Sequence, residues 1–168
     1  MAKFSIREGV FETNSSSVHS LSVYKGNPET YRIPEKVELT LYDYRFGWEE
    51  KTYCCWDDKL AYLYLIADSM DYDKEPEMRT KLNAMLHSFG VKEIEVSPDQ
   101  NPDGRYFDYG YIDHTDGAYD FLEKLLNEPE LLKDFVFNPA SSIETGNDNA
   151  DYIPEEDSNA DYSYIKSN

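Results

Sequence analysis

Residues 11 to 23 read Phe-Glu-Thr-Asn-Ser-Ser-Ser-Val-His-Ser-Leu-Ser-Val, a polar run that passes into an alternating pattern. The short hydroxyl and amide side chains of the first half favour a turn, because they bond to the nearby backbone. The alternation that follows predicts a strand over 18–24, with His19, Leu21 and Val23 on one face. We therefore interpret His19 as a hydrogen-bonded core residue.

The same stretch carries a resemblance. Arg7–Leu21 has the form Arg-x-Gly-Val-Phe-Glu-Thr-Asn-Ser-Ser-Ser-x-His-Ser-Leu and resembles the N-terminus of a group of uncharacterised proteins from bacteriophages and Gram-positive bacteria. A second segment, Ser142–Asp148, is similar to the far end of that group, and the group has threonine at the position of Val18. The resemblance implies a bacterial or phage cytoplasm and carries no function with it.

The net charge of −18 is concentrated in the C-terminal part of the chain, because residues 101–168 hold sixteen acidic and four basic groups. Such a surface repels phosphate backbones, so we expect no direct binding to nucleic acid. It instead favours a basic protein partner, such as the groove of a nucleic-acid-binding host enzyme. The alternative is that the acidity only confers solubility.

Partner contact in this interpretation falls on carboxylates between residues 103 and 134. The predicted partner-binding residues are Asp103, Asp108, Asp113, Asp116, Asp120, Glu123, Glu128, Glu130 and Asp134.

Two clusters of short polar residues, 12–19 and 141–149, each lie beside an apolar strand and could meet on neighbouring strands to line one pocket. The candidate ligand-binding residues are Glu12, Thr13, Asn14, Ser15, Ser16, Ser17, Ser142, Thr145, Asn147 and Asp148. If the protein is an enzyme, the candidate catalytic residues are Ser16, His19 and Asp148, recognisable only by their geometry. The alternative for both clusters is simple loop structure.

Cysteine occurs only as the pair Cys54-Cys55. Neighbouring cysteines form a poor disulfide and cannot alone supply four zinc ligands, so we expect no metal and no cofactor. The chain has no glycine-rich phosphate loop. It also has no apolar run of about 18 residues, so we expect no membrane association.

Apolar periodicity predicts three principal helices, over about 58–70, over 76–89 ending at Gly90, and after Thr115 with an apolar stripe to Leu126. Residues 135–137, Phe-Val-Phe, indicate a last strand. The predicted fold class is α+β, a mostly antiparallel sheet with about three helices packed on one side.

The predicted domain organisation is one globular domain over 1–147 and an acidic, mobile tail over 148–168. The tail holds six acidic groups and one basic group and has low hydrophobicity. An acidic tail with tyrosines can dock on a basic partner, because tyrosine adds contact area at small entropic cost.

Together these features predict an acidic phage or mobile-element inhibitor that blocks a basic, nucleic-acid-binding host enzyme, as a nucleic-acid mimic does. The alternative is a small enzyme or nucleotide-binding protein with a site built from Glu12–His19 and Ser141–Asn149. A third class is a phage structural or assembly component.

Overall fold

A computed structural model of the chain describes residues 17–69, 75–97, 110–113, 118–147 and 154–166. The strands are β1 (Ser17–Val23), β2 (Lys36–Thr40), β3 (Arg45–Phe46), β4 (Lys51–Tyr53), β5 (Glu93–Ser97), β6 (Tyr111–Ile112), β7 (Ser142–Asn147) and β8 (Tyr162–Lys166). The α-helices are α1 (Trp56–Asp68), α2 (Glu75–Phe89), α3 (Ala118–Asn127) and α4 (Pro129–Phe137).

The main sheet is antiparallel and has the order β4-β7-β1-β8. Strand β1 pairs with β7 on one side and with β8 on the other, and every residue from Ser17 to Val23 is buried. Two further pairs, β2 with β5 and β3 with β6, are parallel. The predicted α+β class with a mostly antiparallel sheet is confirmed.

Helix α1 lies at the centre of the core, because every residue from Lys59 to Ala67 is buried. Its leucines, tyrosines and Ile66 cover most of the helix circumference. Asp57 and Asp58 occupy its first turn, where the helix dipole stabilises negatively charged side chains. Helices α2, α3 and α4 all contact it. The predicted central helix is confirmed, with bounds of 56–68 where 58–70 was expected. The helix that ends before Gly90 is also confirmed, and the φ of 114° at Gly90 is left-handed.

The prediction of a strand over 135–137 is wrong, because these residues form the last turn of α4. A short apolar run does not separate strand from helix by itself. Here Pro129 starts the helix at its first position, and Leu131, Leu132, Phe135 and Val136 are all buried, with a spacing of four between the pairs. The described residues therefore contain four α-helices.

The predicted separation of a tail at residue 148 also differs from the structure. Residues 162–166 form β8, which pairs with the central strand β1 from His19 to Val23. Upstream, Pro154 is buried and the Ser20 hydroxyl donates a 2.7 Å hydrogen bond to the Glu155 carbonyl. Backbone pairing with a buried strand, which local composition does not encode, makes residues 154–166 part of the domain.

Among the described residues, no helix has both the length and the apolar character needed to span a membrane.

Candidate functional site

The described ends of the two polar clusters lie on neighbouring strands, an arrangement that the sequence left open. In the β1–β7 ladder Ser17 lies opposite Asn147 and His19 opposite Thr145. Their remaining candidates, Glu12, Thr13, Asn14, Ser15, Ser16 and Asp148, lie outside the described residues.

The described members of these clusters lie inside the sheet. Ser17 is fully buried, and its hydroxyl donates a 3.1 Å hydrogen bond to the Asp113 carbonyl. The Thr145 hydroxyl, 1% exposed, donates to the Glu49 carbonyl at 2.6 Å. Ser142 is buried and Asn147 is partly buried on the same strand. Residues 142–147 are thus a strand rather than a loop, and these two hydroxyls hold neighbouring segments against the sheet.

His19 is a core residue, as its strand register predicted. It is 0% exposed, with Nδ1 3.0 Å from the Tyr62 hydroxyl and Nε2 3.3 Å from the Gly47 carbonyl. A carbonyl only accepts, so Nε2 carries the proton and Nδ1 accepts from Tyr62. Burial raises the pKa of Tyr62 and keeps that hydroxyl protonated as the donor. The arrangement positions three backbone segments and gives solvent no path to the imidazole.

The C-terminal strand β8 packs on α3 through aromatic rings. The Tyr162 ring stacks on Phe121 with centroids 6.0 Å apart and planes 11° apart, and the Tyr164 ring lies 5.7 Å from the same phenylalanine. Phe121 is fully buried, whereas both tyrosines are half-buried. Contacts of this kind stabilise a packed arrangement beyond the area they bury. They fix the C-terminal segment against the helix.

This packing brings carboxylates from two parts of the chain together around Tyr162. Burial raises the pKa of the Tyr162 hydroxyl, the charge of Lys124 opposes this, and the charges of Glu128, Asp120 and Glu156 raise it further. Burial and the Asp120 charge also raise the pKa of Tyr164. Asp120 and Glu128, from α3 and its end, and Glu156, from the C-terminal segment, therefore all act on the same tyrosine.

We define the acidic surface as seven carboxylates on α3, at its end and on the segment before β8. Its members are Asp120, Glu123, Glu128, Glu155, Glu156, Asp157 and Asp161. Two of them are held in place: Asp157 accepts a hydrogen bond from the Tyr24 hydroxyl, and Asp161 accepts one of 2.7 Å from the Lys25 backbone N–H. The last four members were missed as partner-binding residues. The negative charge of the predicted tail indicated that these residues could contact a partner, but no local sequence feature indicates that the tail packs on the domain.

The predicted partner-binding residues differ in their exposure in the structure. Asp120, Glu123, Glu128 and Glu130 are exposed, and Asp113 is partly buried. Asp103, Asp108 and Asp116 lie outside the described residues.

Asp134 is a correction to that set, because it is only 7% exposed. Its carboxylate accepts hydrogen bonds from the Tyr31 hydroxyl and from the Gly26 backbone N–H, the latter at 3.3 Å. A carboxylate buried with its donors is a structural acceptor rather than a contact surface. Asp134 therefore anchors the loop over 26–31 to α4.

A cleft of about 570 Å³ opens between that loop, the N-terminus of α1 and the end of α4. Its lining residues are Gly26, Asn27, Thr30, Tyr31, Arg32, Cys54, Cys55, Trp56, Asp57, Val136, Phe137, Asn138 and Pro139. No described member of the two polar clusters lines it. Both cysteines are free and exposed.

Lys59 ties two walls of this cleft together from inside the core. Its Nζ donates hydrogen bonds of 2.7 Å to the Asn138 carbonyl and 3.0 Å to the Ser141 carbonyl, and the side chain is 0% exposed. Burial lowers the pKa of this ammonium to about 8, because the charged form is poorly solvated there. The first turn of α1 is thereby fixed to the end of α4.

No known protein family, curated protein or solved structure matches this chain.

Proposed function

We propose that this protein is an inhibitor that binds a basic, nucleic-acid-binding enzyme of the bacterial host through the acidic surface. The observation that carries the proposal is the packing of Tyr162 and Tyr164 on Phe121. That packing holds β8, and with it the carboxylates that precede β8, on the folded domain instead of on a free chain.

Carboxylates on an ordered backbone suit this role for two reasons. An ordered backbone loses little conformational entropy on binding, and the carboxylates can occupy a groove that normally accepts the phosphates of a nucleic acid. The half-buried rings of Tyr162 and Tyr164 add contact area between the charges. The net charge of −18 accelerates encounter with a positive groove and disfavours direct nucleic-acid binding.

The described polar-cluster residues support this class over a small enzyme. The hydroxyls of Ser17 and Thr145 and both ring nitrogens of His19 are engaged within the fold. A nucleophile or general base needs access to its substrate.

The test is capture of host proteins on the immobilised full chain, followed by affinity measurement at about 0.05 M and about 0.3 M salt. The triple variant Asp120→Asn/Glu123→Gln/Glu156→Gln removes three charges of the acidic surface. We expect binding about tenfold weaker, because three exposed ion pairs at about 0.5 kcal/mol each amount to about that factor.

The matched control is Glu38→Gln/Glu93→Gln/Glu95→Gln, which changes the net charge equally on the β2–β5 pair. We expect it to retain binding. Equal losses in the two variants would assign the effect to net charge alone, and affinity that ignores salt would contradict the proposal.

A further inference from the structure

The N-terminus of α1 gathers a thiol and two carboxylates at the edge of the cleft. The Cys55 sulfur and one oxygen each of Asp57 and Asp58 all lie within 4.8 Å of one another. Cys55 is exposed and is the N-cap residue of α1, where its side chain makes no capping hydrogen bond. Cys55 and Asp57 line the cleft. Three metal-binding side chains thus converge beside open space.

We propose that Cys55, Asp57 and Asp58 bind a thiophilic divalent cation of the zinc class. Zinc accepts thiolate sulfur at about 2.3 Å and carboxylate oxygen at about 2.0–2.2 Å. In a tetrahedron with those bond lengths the ligand atoms are roughly 3.4–3.7 Å apart. Side-chain rotations that move the ligand atoms by about 1 Å would bring the observed separations, all within 4.8 Å, to these values.

The surroundings hold the three side chains in place and leave one side of the cluster open to the cleft. The three ligands lie at the start of a helix that is buried from Lys59 to Ala67, and Lys59 fixes this first turn to the end of α4. Among the described residues, no side chain donates a hydrogen bond to the carboxylate of Asp57 or Asp58. Three protein ligands leave the fourth position of a zinc ion to water or another small ligand, whereas structural zinc sites have four protein ligands.

The donor set also argues against the common hard cations. Calcium and magnesium take oxygen ligands and disfavour sulfur, while a mixed sulfur and oxygen set suits zinc or cobalt. A thiolate ligand therefore distinguishes this site from the general acidity of the protein.

The experiment uses the reduced full chain and Co²⁺ as the probe, since a thiolate bound to cobalt gives a charge-transfer absorption band. We expect one equivalent of Co²⁺ to produce that band, Zn²⁺ to abolish it, and excess Mg²⁺ to leave it unchanged. Cys55→Ser should remove the band, and Asp57→Asn should weaken Co²⁺ binding by at least about tenfold.

Cys54→Ser is the matched control, because the neighbouring thiol lies outside the donor set. It should retain the band, and far-ultraviolet circular dichroism should show every variant folded. Because Cys55 is exposed, its replacement by serine leaves the core intact. Absence of a thiolate band in the wild type, or a band that survives in Cys55→Ser, would overturn the proposal.

Discussion

The Ser20 hydroxyl donates a 2.7 Å hydrogen bond to the backbone carbonyl of Glu155, 135 residues further along the chain. This bond joins the central strand of the sheet to the segment that leads into β8. It shows how the C-terminal residues complete the second face of β1, where Ser20 and Ser22 are only 2% and 4% exposed. The acidic surface and the stability of the sheet therefore depend on the same segment.

Ending the chain at residue 153 should lower the free energy of unfolding by roughly 3 kcal/mol or more. The truncation removes the β8 ladder and the packing of Tyr162 and Tyr164 on Phe121. Urea unfolding followed by circular dichroism measures the change. A chain that ends at Lys166 is the control and should match the wild type. Equal stability of all three chains would show that the segment is dispensable for the fold.

Asp134→Ala should destabilise the protein by about 1.5–3 kcal/mol, because it leaves the Tyr31 hydroxyl and the Gly26 N–H without their acceptor. Asp120→Asn, at an exposed position, should change stability by less than about 0.5 kcal/mol. In partner binding, Asp120→Asn should weaken the affinity, whereas folded Asp134→Ala should bind as the wild type does. Weaker binding in Asp134→Ala, with its stability unchanged, would return this residue to the contact surface.

The buried ammonium of Lys59 should make the free energy of unfolding increase with pH. Its folded pKa of about 8 lies below the ordinary 10.5, so between these values the unfolded chain binds more protons than the folded chain. From about pH 7 to about pH 9.5 the wild type should gain about 1–2 kcal/mol relative to Lys59→Met.

The measurement is urea unfolding of both proteins across that pH range. The tyrosines whose pKa is raised reduce the stability of the protein only above about pH 10, and they do so equally in the wild type and the variant. Parallel curves for wild type and variant would contradict the buried-ammonium argument.

His19→Leu should cost about 2–3 kcal/mol, since the Tyr62 hydroxyl and the Gly47 carbonyl lose their partner in the core. The double variant His19→Leu/Tyr62→Phe should be more stable than the sum of the single changes, because the unpaired hydroxyl is gone. Binding to the basic partner should persist in every folded variant. Loss of binding in a fully folded His19→Leu protein would give the histidine a functional role.

Gly110→Ala should cost about 2 kcal/mol or more, because a methyl group there would lie 1.9 Å from the Leu41 backbone oxygen. Backbone cannot move aside as the end of a side chain does. Gly47→Ala is the matched control, with its nearest neighbour, the Tyr111 hydroxyl, at 3.4 Å. Thermal unfolding should separate the two variants, and an equal melting temperature would show that the 110–112 segment shifts freely.

The candidate site was predictable in composition but not in arrangement. The surplus of negative charge toward the C-terminus follows from counting residues. The exposure of Asp120 and Glu123 follows from the apolar periodicity of an amphipathic helix. That Asp134 lies inside, bonded to Tyr31 from 103 residues earlier, follows only from the approach of two distant segments. The convergence of Cys55 with Asp57 and Asp58 required the helix start to be located to the residue.

Helices α1, α2 and α3, the helix end at Gly90 and the strand β1 could be predicted from local sequence, because periodic apolar residues and a left-handed glycine are local signals. The places of β7 and β8 in the main sheet depend on long-range contacts. Both strands pair with β1, and a ladder between distant segments has no signature in either segment alone.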